Sequence, residues 1–173
     1  MMGGGLGVEM IRTAFKGFYG LLKRYGYVPG VEMLAAMKEA DRVGAKLYFG
    51  DQNGDETLRK LKDAFQPSML MKAMTTPPPQ ELEQAMNEGS LGDKVEALKT
   101  RKNAKLMSEW MEDVFPSIAN VLIHQRDTIT AHNLITHCGK EKKVVAVVGL
   151  AHLDGIEKEW QRLKKKKKAI TTS

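Results

Sequence analysis

Asp51 and His152 are the side chains whose type and setting best suit chemistry. Each stands just past a short apolar run, residues 45–49 for the carboxylate and 144–148 for the imidazole. The second run, Val144-Val145-Ala146-Val147-Val148, reads as a strand buried on both faces. Gly149 ends it and permits a sharp turn, and Asp154 can cap a helix starting near Gly155. If the two strands are parallel neighbours, Asp51 and His152 meet at the carboxyl edge of a sheet, where open α/β folds bind ligands. A carboxylate beside an imidazole can hold a divalent metal or move protons. Plainer readings stand beside these. Asp51 is also one turn former in Gly50-Asp51-Gln52-Asn53-Gly54, and His152 a loop or cap histidine with a satisfied hydrogen bond.

A helix expected over residues 117–137 offers a second polar group. At 100° per residue, Ile118, Leu122, Gln125, Ile129 and His132 share a face, with Arg126 on its flank. Gln125 and His132 there are either functional or ordinary helix-edge residues. His124 and His137 have no metal-site spacing and read as surface or packing residues. The sequence contains no zinc motif, phosphate-binding loop, nucleophile elbow or dinucleotide fingerprint.

The elements that would position these groups define an α/β fold class: a mostly helical chain contributing a few strands to a mixed or parallel sheet. Helices are expected over residues 8–24, 31–43, 55–65, 82–115, 117–137 and 157–163, with a turn at 27–30. The first carries Met10, Ala14, Phe18 and Leu21 or Leu22 on one face. Ser117 suits the cap of the fifth. Pro77-Pro78-Pro79 marks a connection near 75–80 inside a body spanning 1–163, and 164–173 forms a basic tail. Two strands alone make a poor sheet, so an incomplete domain is expected.

Composition sets outer bounds. The 173 residues suit one domain, and no apolar run approaches the ~20 residues that span a bilayer. Cys138 is the single cysteine, which excludes an internal disulfide and suits a reducing, non-secreted setting. The net charge of +6 owes five positives to the lysines of 164–168. That run, Lys164 to Lys168, is either solvated or faces an anionic membrane surface, and no specific nucleic-acid partner is expected. The basic first 25 residues (Arg12, Lys16, Lys23 and Arg24 against Glu9) mimic a mitochondrial presequence in composition, but read as an ordinary helix.

Taken together, these pieces resemble the TraB/PrgY family, grouped with the TIKI metalloproteases and the erythromycin-esterase and ChaN-like proteins. The resemblance runs from about Gly5 to Trp160 through short motifs in order: Pro29-Gly30-Val31-Glu32, Gly50-Asp51-Gln52, Thr57-Leu58-Arg59, Gln125-Arg126-Asp127 and Gly149-Leu150-Ala151-His152. It leads on into Gly155-Ile156-Glu157-Lys158-Glu159-Trp160. It implies His152 and Asp51 as metal-binding residues, Glu32 and Arg126 in catalytic roles, and Gly149 as a cofactor-binding residue. A divalent metal is implied, with an incomplete ligand set, because the family's earlier Gly-x-x-His motif is not in this chain. Gln52 stands where the family has Arg, and Gln125 where it has Glu, which removes charge needed for acid–base work. The expectation is therefore a catalytically degenerate TraB-like domain, a structural or interaction subunit of a mitochondrial or membrane-associated assembly. Its partners would be other protein subunits, among them a chain supplying the missing amino-terminal half. The alternative is a metal-dependent hydrolase completed by such a partner.

Overall fold

A computed structural model describes residues 4–24 and 30–171. The expected turn at 27–30, apart from Gly30, lies outside them, as does Pro29 of the first motif. The side chains of Ala14, Phe18, Leu21 and Leu22 lie outside them too, as does the end of the basic tail.

Helices are the only regular secondary structure among the described residues, and the expected sheet is absent among them. This corrects the α/β assignment: the fold is all-α. Residues 45–50 and 143–149, expected as strands, carry no regular secondary structure and form no ladder. A strand exists only through such pairing, and an apolar run specifies a preference for burial rather than a partner. Their side chains stand out in solvent, Phe49 at 74% and Val145 at 80% exposure.

Helix α1 spans Gly4–Arg24 and α2 spans Val31–Arg42. Helix α3, Gly54–Ala64, starts under Asn53, whose side chain accepts hydrogen bonds from the Asp55 and Glu56 amides. The expected long helix over 82–115 is three: α5, Gln80–Asn87, α6, Leu91–Leu98, and α7, Arg101–Val114, after a short α4 at Ser68–Thr75. The breaks have local causes. Gly89 takes a left-handed φ of 75°, and Ser90 with Asp93 closes a capping box on α6. Thr100 then caps α7 through the Asn103 amide.

Pro116 opens α8, Pro116–Ala119, where Ser117 was expected as the cap. A wide π-helical turn, Asn120–His124, follows and runs into α9, Gln125–His137. A residue in such a turn advances by less than 100°, so a four-residue repeat keeps one face. The buried stripe is accordingly Ala119, Ile123, Asp127 and Ala131, joined by Val121. Ile118, Leu122, Gln125 and Ile129 are only half-buried, and His132 is exposed. After a short 3₁₀ turn at Leu150–His152, α10 runs from Leu153 to Thr171. It is far longer than the expected 157–163, and the lysine run is part of this helix rather than a separate tail. Helix α10 packs along α9, the 3₁₀ turn packs on α7, and α3 packs on α1 and on the π-helical turn.

Candidate functional site

Asp127 is the only buried polar or charged residue of the described core, at 3% exposure. It projects from the apolar stripe of α9 toward the start of α10. There its Oδ1 lies 2.7 Å from Nδ1 of His152, whose side chain is 15% exposed. A buried carboxylate is costly without a partner, and this imidazole is the partner. The 3₁₀ turn places the ring, with the His152 amide donating to the Gly149 carbonyl at 2.9 Å. Gly149 has φ −63° and ψ 139°, an extended conformation open to any residue, so the sharp turn lies in residues 150–152.

A second acid–base pair stands beside the first. The Arg126 guanidinium grips Asp51 with both arms, Nε to Oδ1 at 3.1 Å and Nη2 to Oδ2 at 2.7 Å. Arg126 also donates through Nη1 to the Leu122 carbonyl at 3.2 Å, which ties the guanidinium back to the π-helical turn. Asn133 holds the preceding residue, donating to the Gly50 carbonyl at 2.8 Å. Tyr48 stacks on His137 with ring centroids 4.5 Å apart, so segment 45–50 is fixed along α9. Burial pushes the Asp51 carboxyl up. The hydrogen bonds and charge of Arg126, the Gln52 amide and the nearby His152 outweigh that and leave it below its ordinary value.

Of the residues expected to act, Asp51, Arg126, Gly149 and His152 are thus brought to one region, but not as a metal centre. No group of three His, Cys, Asp or Glu side chains converges among the described residues. Both oxygens of Asp51 are engaged by Arg126, and Nδ1 of His152 by Asp127. These donors do not fit a divalent metal by themselves, because fewer than three protein ligands remain to hold one. Glu32 stands apart, exposed in the first turn of α2. Gln52, expected to be a lost charge, has both ends of its amide in use: Nε2 donates to Thr57 Oγ1 at 2.7 Å, and Oε1 accepts from Lys60 Nζ at 3.0 Å. His124 pairs with Glu112 at 3.2 Å.

Sequence reasoning missed Asp127. Its signal was present in the four-residue repeat Ala119-Ile123-Asp127-Ala131, where one acid interrupts a stripe of small and apolar residues.

The fold and these residues define a helical domain carrying a buried acid–imidazole pair between its last two long helices. The chain belongs to the TraB/PrgY/gumN family, whose sequence pattern matches residues 52–172. Arg126, Asp127, Gly149, His152 and Gly155 fall inside that match, while Glu32 and Asp51 precede it. The chain is similar to an uncharacterised protein of Methanocaldococcus jannaschii, 29% identical over 142 residues. That alignment covers 80% of this chain and 34% of the archaeal protein, so the chain spans about a third of its relative's length. No solved structure matches the chain.

Proposed function

We propose that this TraB-family chain works as an interaction subunit, catalytically degenerate on its own, that docks further polypeptide of a TraB-type assembly. One observation carries the reading. The chain exposes 12574 Å² of surface, about half as much again as the roughly 8,500 Å² expected of a folded monomer of its mass. Much of the excess is apolar and clustered in sequence: Met33, Leu34 and Met37 on α2, then Leu47, Tyr48 and Phe49, and Val144, Val145 and Val147. Helix α2 buries none of its residues. Exposed apolar side chains in this number support a protein or membrane interaction site. The glutamines at 52 and 125 support binding over catalysis.

A mitochondrial or membrane-associated setting belongs to the same proposal. No helix among the described residues is long and apolar enough to cross a membrane. The basic end of α10 supports attachment to an anionic surface instead.

The test is sedimentation velocity on the isolated chain together with binding of an apolar dye. We expect concentration-dependent self-association and dye uptake, both reduced in a Phe49→Ser/Val145→Ser variant. A monodisperse chain that takes up no dye would overturn the reading.

The buried Asp127–His152 pair favours a second reading, a metal-dependent hydrolase of TIKI type whose remaining ligands come from a partner chain. Stoichiometric manganese, cobalt or zinc in the purified chain, lost on His152→Ala, would establish that reading against the first.

A further inference from the structure

We propose that residues 144–148 form a docking edge for a second copy of this chain, the two segments pairing as antiparallel β-strands about Ala146. The inference deepens the docking reading and rests on it, since it names the polypeptide that docks and the residues that receive it.

The segment has the composition of a strand and none of its bonds. Four of its five residues are β-branched valines, which favour the β backbone. Among the described residues, no hydrogen bond reaches the backbone of residues 142–148. Val144, Val145 and Val147 are exposed. Successive side chains of a strand point to opposite faces, so the exposure of Val144 and Val145 leaves both faces open. Apolar side chains beside open donors and acceptors make a template for a further strand. Residues 45–49 are a poorer edge, because the Tyr48 stack on His137 and the Asn133 bond to the Gly50 carbonyl already hold that segment on α9.

The order of residues selects the occupant. Val144-Val145-Ala146-Val147-Val148 reads the same in both directions. Antiparallel pairing about Ala146 therefore sets Val145 against Val147 and Val144 against Val148, each twice, as a two-fold interface between identical chains requires. Directly opposed β-branched side chains stabilise such a pair.

Charge selects the orientation. In the antiparallel register Lys143 faces Gly149 and Lys142 faces Leu150. A parallel in-register pair would instead set each of these lysines against its own copy, and like charges directly opposite destabilise a sheet. Surface is sufficient for a dimer. The chain exposes about 4,000 Å² more than a folded monomer of its mass, whereas a stable complex buries about 800 Å² per partner.

The test combines hydrogen–deuterium exchange of the wild-type chain with disulfide trapping. Amides of residues 144–148 should exchange freely in dilute solution and become protected at concentrations where sedimentation shows a dimer. Trapping uses exposed positions in a Cys138→Ala chain, so that no native thiol competes. Opposed Cβ atoms lie about 4.5–5.5 Å apart and diagonal positions about 7–8 Å, so only opposed cysteines should couple. Ala146→Cys should couple with itself. Val145→Cys and Val147→Cys should each stay largely uncoupled alone and give disulfide dimer when mixed. Self-coupling of Val145→Cys equal to that of the mixture would overturn the antiparallel register. Self-association that leaves the 144–148 amides unprotected would overturn this edge while sparing the docking reading. A chain that is monomeric at every concentration and takes up no apolar dye would overturn both.

Discussion

The Asp127 carboxylate meets Nδ1 of His152 at 2.7 Å and so pins the middle of α9 to the turn that begins α10. The bond joins residues 25 positions apart and is almost withdrawn from water, at 4% and 15% side-chain exposure. It ties the two helices together and holds the His152 ring in place.

Removing the acid should be costly. Asp127→Ala leaves Nδ1 of a mostly buried imidazole without its hydrogen-bond partner, which destabilises by about 1–3 kcal/mol. Urea unfolding should show a lower midpoint at an unchanged slope. A midpoint equal to the wild type would mean that the pair contributes nothing to holding α9 and α10 together.

The Asp51–Arg126 pair predicts a pH signature. Because the folded carboxyl lies below its ordinary value of 3.8, its contribution is fully present above that value and is lost as pH falls through the folded one. Half of the Asp51 side chain is exposed, which limits the pair to about 0.5–1 kcal/mol. Asp51→Asn should therefore melt below the wild type at neutral pH and converge with it in acid. A gap that widens toward low pH would reverse the sign and refute the assignment.

Asn53 holds the turn that presents Asp51. Its side-chain oxygen accepts the Asp55 amide at 2.8 Å and caps α3. Asn53→Ala should cost about 1 kcal/mol in thermal or urea unfolding, whereas Asn53→Gly should cost only a few tenths. Equal losses in the two variants would show that the side-chain cap is not the source of the effect.

The basic end of α10 predicts salt-sensitive adhesion. Arg162 and the lysines of 164–168 lie in one helix, with Lys164 also over the Trp160 ring at 4.2 Å from its centroid. The chain should co-sediment with phosphatidylserine vesicles at low ionic strength, at about 1 kcal/mol per lysine near the surface. Raised salt, or glutamine at all five lysine positions, should release it. Adhesion that is indifferent to both would exclude an electrostatic membrane contact.

Local features were legible in the residues themselves. Apolar periodicity located the helices at 31–42 and 54–64 to within a residue or two, because each repeats its apolar positions at helical spacing. Breaks at Gly89-Ser90 and Thr100 were equally local but went unread, since the apolar pattern continues across them. The Gly-x-x-His run and the motifs before it carried the family resemblance, and the match over 52–172 bears that resemblance out.

The sheet is the clearest failure. Residues 144–148 have a strand's composition, but composition records only a preference for burial and an extended backbone. Whether a neighbour accepts those hydrogen bonds is a property of the surrounding chain. Asp127 failed to stand out for a related reason. The π-helical turn at Asn120–His124 shifts which face of the following helix is buried, and a uniform 100° projection placed Gln125 and His132 there instead.

The sequence by itself thus determined the family and the places of helices α2 and α3, because each is written in residues within a few positions of one another. The tertiary structure alone decided the pairings: Asp127 with His152 across 25 residues and Asp51 with Arg126 across 75. Those contacts arise only when α10 packs on α9 and segment 45–50 lies along α9. That packing depends on side-chain volumes summed over whole faces, down to the missing side chain at Gly155.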